Sequence, residues 1–127
     1  MSDYDAENFD PPAPVAHVTL RHPTTGALLS DVPMLIDTGA DISLLPRQSV
    51  EQIGVVPIAN SAYEIQGFDR ETKFAQVVQA ELLFLKRKFV GQFLLMDEPI
   101  GILGRNILNI VAILLDGPNG KWFESKR

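Results

Sequence analysis

From residue 15 onward the chain reads as short apolar stretches broken by turn residues, with the period of strands more often than that of helices. Val15, Ala16, Val18 and Leu20 mix with His17, Thr19 and Arg21, and Pro23, Thr24, Thr25 and Gly26 then supply turn chemistry. This pattern predicts a hairpin returning through residues 27–32. Met34, Leu35 and Ile36 form a brief apolar run that stops at the polar turn Asp37-Thr38-Gly39-Ala40, and apolar residues resume at 42–45. Pro46 can open a short helical turn that Gly54 ends in a left-handed conformation.

Residues 63–66 alternate, residues 67–70 can turn, and residues 74–85 and 89–96 are two β-rich runs with Lys86, Arg87 and Lys88 as the exposed turn between them. Farther on, Ile107, Leu108 and Val111 stand at helical spacing, so a helix is expected over residues 105–111. Residues 112–115 then read as a strand, residues 116–120 as a turn, and residues 121–124 as a last strand. The expectation is a mainly-β fold with one short C-terminal helix. Asp3, Asp5, Glu7 and Asp10, followed by three prolines, come ahead of all this, so residues 1–14 read as a disordered acidic leader to a domain spanning residues 15–127.

A length of 127 residues leaves room for one domain. A formal net charge of -5 offers no general attraction for phosphate backbones or anionic membranes, which argues against nucleic acid as a partner. Cysteine is absent and only His17 and His22 are present, so thiol chemistry is excluded and no metal-ligand cluster or other cofactor site is visible. No signal-peptide pattern and no apolar span of membrane length occurs, from which a cytoplasmic location is expected.

The candidate chemistry lies in two segments. An apolar strand ends in Asp37-Thr38-Gly39-Ala40-Asp41, and far downstream come Ile102, Leu103, Gly104, Arg105 and Asn106. Gly39 permits a turn that a side chain would disfavour, so a rigid strand can present the Asp37 carboxylate, with Thr38 bracing it. In this order the two segments resemble the retropepsin family of aspartic proteases, over roughly residues 15–115.

The resemblance implies a closed β-barrel subunit of the acid-protease type and a two-fold homodimer acting on a peptide or protein substrate. Asp37, Thr38 and Gly39 would be catalytic. The mechanism so implied needs one ionised and one protonated carboxyl oxygen, and the chain has a single Asp-Thr-Gly. The second Asp37 would therefore come from the partner subunit, the pair sharing one proton. By the same resemblance, Gly39 and Asp41 would contact substrate, Leu35 and Ile102 would wall pockets for apolar side chains, and Gly67 and Phe68 would belong to a flap closing over the peptide. Ala40, Gly104 and Arg105 would support the site, with Arg105 paired to Asp41.

The flap segment departs from the glycine-rich viral form, offering only Gly67 and carrying Asp69, Arg70 and Glu71. The C-terminal segment with Trp122 and Phe123 resembles cellular and bacterial members of the family, and a hairpin there would supply the dimer sheet. The competing reading is a catalytically silent peptide-binding or dimerisation module of the same fold. A phosphate-handling Asp-Thr-Gly turn of the sugar-kinase kind would need a much longer α/β chain.

Overall fold

The structure, a computed structural model, describes residues 1–66 and 72–126. The N-terminal half comprises β1 (Ser2–Asp5), β2 (Ala13–Arg21), β3 (Leu28–Ile36), β4 (Leu44–Pro46), α1 (Arg47–Gln52) and β5 (Ala62–Gln66). There follow β6 (Thr72–Phe84), β7 (Arg87–Met96), β8 (Gly101–Leu103), α2 (Arg105–Leu108), β9 (Ile113–Asp116) and β10 (Lys121–Glu124). The fold is mainly β, as expected, with a short α1 in addition to the C-terminal helix. Pro46, with φ -61°, leads into α1, and Gly54 follows it with φ +78°, a conformation that favours glycine.

Strand order is β5-β6-β7-β4-β8-β3-β2-β1-β10-β9, and β6 pairs also with β2 through Thr19↔Leu83, Leu20↔Leu82 and Arg21↔Glu81. That extra pairing leads the path β6-β7-β4-β8-β3-β2 back to its start. Inside it, alternate residues of the strands interdigitate: Leu20, Met34, Leu45, Leu82 and Leu103 are fully buried. Each buried side chain of this size contributes roughly 1.5–3 kcal/mol relative to exposure. Glu81, one of two buried polar residues described, is matched by Arg21 at 2.7 Å.

Several elements differ from the pattern-based expectation, each for a local reason. The segment expected to be a disordered leader contains β1, which pairs with β10 through Ser2↔Trp122 and with β2 through Tyr4↔Pro14 and Asp5↔Ala13. Backbone pairing and the packing of Tyr4 against the core provide what its acidic composition does not. The turn expected at Lys86, Arg87 and Lys88 is instead Leu85 and Lys86, at φ 51° and 62°, because Phe84 pairs with Arg87. That is the left-handed backbone conformation by which a two-residue hairpin turn matches the right-handed twist of its strands, obtained without glycine. α2 stops at Leu108, and Asn109, Ile110 and Val111 continue as turns donating to Arg105, Ile107 and Leu108 carbonyls.

Trp122 belongs to the core. It is 4% exposed, its ring centroid lies 5.9 Å from that of Phe84, and its Nε1 donates to the Val15 carbonyl at 3.1 Å. The C-terminal hairpin is thus fixed to the core of the chain through Trp122, leaving β9 as an edge among the described strands, with Leu114 and Leu115 about half exposed.

Candidate active site

Two strands distant in sequence meet at the Asp37 turn. β3 and β8 run parallel in the register Met34↔Gly101, Leu35↔Ile102 and Ile36↔Leu103. Asp37 follows β3 directly and its amide donates to the Leu103 carbonyl at 3.1 Å, extending the ladder by one residue. Leu35 and Asp37 lie on the same face by strand alternation, opposite buried Ile36. β4 flanks β8 on its other side, with Leu44 opposite Ile102.

The turn is held at both ends. Ala40 N–H donates to the Asp37 carbonyl at 3.2 Å, and Arg105 N–H donates to the Ala40 carbonyl at 2.8 Å. Gly39 N–H donates to Asp37 Oδ1 at 2.9 Å, while Oδ2 has no partner among the described residues. A Cβ at Gly39 would stand 3.1 Å from Asp37 Oδ1. A side chain here would crowd the carboxylate and push it aside by a few tenths of an ångström, so glycine serves the placement of Asp37 and not a left-handed backbone.

Gly104 is tighter still, since a Cβ there would meet the Ile42 carbonyl oxygen at 2.6 Å. Its amide donates to Ser43 Oγ at 2.9 Å, and Ser43 Oγ donates in turn to Asn106 Oδ1 at 2.7 Å. Ser43 is fully buried. It links the chain after the Asp37 turn to the start of α2 from inside, a role that the sequence analysis missed. The available signal was a lone serine in the apolar run of residues 42–45, a buried hydroxyl that had to find partners.

Arg105 takes a different partner from the one expected. Its Nη1 donates to the Thr38 carbonyl at 2.7 Å, and no Asp41–Arg105 ion pair occurs among the described residues, where Arg21–Glu81, Arg47–Asp97 and Lys121–Asp3 are the pairs present. The guanidinium grips the turn through its backbone, which leaves the exposed Asp41 carboxylate outside that bond.

Leu35 and Ile102 are half-buried and line one groove of about 360 Å³, together with Met96, Ile100 and Phe9. A second apolar cluster of Ala75, Val77 and Leu94, with Ile42, Leu44 and Ile65 packed against it, lies under the β5–β6 hairpin close to Asp41. Gly67 and Phe68, expected at the flap tip, lie outside the described residues. No group of three or more metal-ligating side chains is found among the described residues, and none of their helices is long and apolar enough to cross a membrane.

The family model for retroviral aspartyl proteases matches residues 12–116. The chain belongs to that family. Among solved structures it is similar to EIAV protease complexed with the inhibitor HBY-793, at TM-score 0.58 and 22% identity, covering 86% of this chain and 93% of that one. Curated protein sequences gave no match. The EIAV likeness is one of fold, and the family match spans both the Asp37 turn and the Gly104-Arg105 segment.

Proposed function

We propose that this retropepsin-like protein is an aspartic endopeptidase, active as a homodimer in which each subunit contributes Asp37. The observation that carries the reading is the Asp37 turn itself. One carboxylate oxygen is held by Gly39 N–H, the other has no partner among the described residues, and the turn is pinned to α2 by Arg105 and Ser43. A site for chemistry needs this kind of rigid support.

In this reading the strand path closed by β2–β6 is the acid-protease barrel, and the substrate channel lies on the two-fold axis. The two Asp37 carboxyls share one proton. The ionised one takes a proton from water, the protonated one polarises the scissile carbonyl, and water adds to give a tetrahedral diol. Collapse of the diol breaks the carbon–nitrogen bond and passes a proton to the leaving amine. Thr38 and Gly39 complete the floor, Leu35 and Ile102 accept apolar side chains, Gly39 and Asp41 border the peptide, and Gly67 and Phe68 cover it. No metal or organic cofactor enters these steps.

The β9 edge supports the two-fold contact. Among the described residues its backbone is unpaired on one side, and Leu114, Leu115 and nearby Ile110 are 44%, 48% and 56% exposed. Edge pairing with a second copy would cover both the polar backbone and this apolar surface.

The test is cleavage of an unbiased peptide library by purified protein between about pH 4 and 8, a range that brackets shared-proton carboxyl chemistry. Activity in the native chain and none in Asp37→Asn is the expected result. Equal peptide binding without cleavage by both proteins would instead establish the silent binding module.

A further inference from the structure

Residues 6–12 connect β1 to β2 and carry Phe9, an aromatic residue in an otherwise small or polar stretch that includes two prolines. The base of this loop is closed by Tyr4↔Pro14 and Asp5↔Ala13. Asp5 clasps its first turn: Oδ1 accepts from Glu7 N–H and Asn8 N–H at 2.9 Å each, and Oδ2 accepts from Asn8 Nδ2 at 2.9 Å. The segment leading to Phe9 is therefore held by three hydrogen bonds to one carboxylate.

Beyond the clasp, Phe9 reaches the groove lined by Leu35 and Ile102 and is half-buried there. With Phe9 as part of its lining, the groove still encloses about 360 Å³, which falls in the roughly 300–1,000 Å³ range of ligand pockets. Phe9 thus acts as a wall and does not plug the space. Ile100 and Met96 make the lining mainly apolar, while Glu98 adds a carboxylate unfavourable to an acidic guest.

We propose that this loop is a specificity arm. Phe9 forms one wall of the pocket that receives an apolar substrate side chain, and Asp5 positions it by holding the turn at Glu7 and Asn8. The proposal rests on the protease reading of the site but adds residues outside both motif segments. A wall that touches the substrate equally before and during reaction changes KM and leaves kcat nearly unaltered.

The experiment compares Phe9→Ala, Phe9→Leu, Asp5→Ala and Asp5→Asn with the native chain on a positional-scanning decapeptide library. The same substitutions are placed in an Asp37→Asn background, where library peptides are scored by direct binding. Phe9→Ala is expected to raise KM for the preferred apolar peptides about tenfold, the scale of a lost apolar pocket contact, with kcat within about twofold. Phe9→Leu should retain most of the preference. Asp5→Ala should reproduce Phe9→Ala, whereas Asp5→Asn, which keeps an Oδ1 acceptor, should restore much of the native profile.

An unchanged preference in Phe9→Ala, with cleavage still dependent on Asp37, overturns the specificity arm and leaves the protease reading intact. If no native cleavage occurs, binding in the Asp37→Asn background decides: weaker apolar-peptide binding by Phe9→Ala upholds the arm in a binding module, and equal binding overturns it. Absence of both cleavage and peptide binding overturns both readings.

Discussion

Arg105 Nη1 and the Thr38 carbonyl, 2.7 Å apart, join the start of α2 to the crest of the Asp37 turn. The bond runs from a charged donor to backbone, so it fixes the position of Thr38 whatever the side chain of that residue does. Arg105 N–H also donates to the Ala40 carbonyl. One residue therefore holds the turn at two successive points around Gly39.

This arrangement separates Arg105 from Asp41. Arg105→Ala is expected to lower kcat/KM by at least about tenfold, since small displacements of a positioned group are costly, while circular dichroism remains native. Asp41→Asn should leave the melting temperature within about 1 °C, a surface-level change. If the two residues formed the expected ion pair, both substitutions would destabilise the turn, and parallel thermal melts with peptide-cleavage assays on the two variants would show it.

Much of the fold was legible because strand alternation and turn residues are local signals. The β2 and β3 hairpin, α1 with Gly54, the long β6 and β7 runs and the Asp37 turn all announce themselves within a few residues. What local pattern could not supply was partnership. β1 forms because β10 and β2 offer their edges across the whole length of the chain, and nothing in its acidic composition announces that.

The site followed the same division. Asp37, Gly39 and Gly104 are visible as a motif, but what crowds each glycine, the Asp37 carboxylate beside Gly39 and the Ile42 backbone beside Gly104, came only from the structure. For Arg105 the expected acceptor was Asp41 and the observed one is the Thr38 carbonyl, because a backbone carbonyl leaves no mark in sequence. Ser43 and Phe9 carry no motif, and their roles depend on which distant segment stands beside them.

Ser43→Ala is expected to destabilise the protein by about 1–3 kcal/mol, because removing the hydroxyl leaves the buried Gly104 N–H and Asn106 Oδ1 without that partner. Ser43→Thr keeps the hydroxyl but adds a methyl group to a fully buried position, so it should cost stability through crowding instead. Urea melts with unchanged slope would confirm that the loss is one of stability and not of cooperativity.

The Asp5 clasp predicts a local response to acid. Hydrogen bonds from the Asn8 side chain and then its backbone hold the Asp5 carboxyl below its ordinary value of 3.8. A depressed folded-state value means that the clasp is fully present above that ordinary value and is lost as pH falls through the lower folded value. The Asn8 side-chain amide resonance should therefore stay constant near neutrality and shift only below about pH 4, the ordinary range of an aspartate. In Asp5→Asn the shift should disappear, and its persistence there would assign it to another carboxylate.

The β9 edge carries the last prediction. Leu115 is 48% exposed on a strand whose only partner among the described strands is β10, so a lysine there costs the folded subunit little. At a two-fold edge, however, it would place two like charges close together and remove apolar surface, opposing association as charged edge residues do. Leu115→Lys is expected to retain the native melting transition of the subunit while sedimenting as a monomer at micromolar concentration, and to lose cleavage because each monomer has one Asp37. A variant that remains dimeric and fully active would move the two-fold contact away from β9. A variant that is monomeric yet active would remove the need for a second Asp37 altogether.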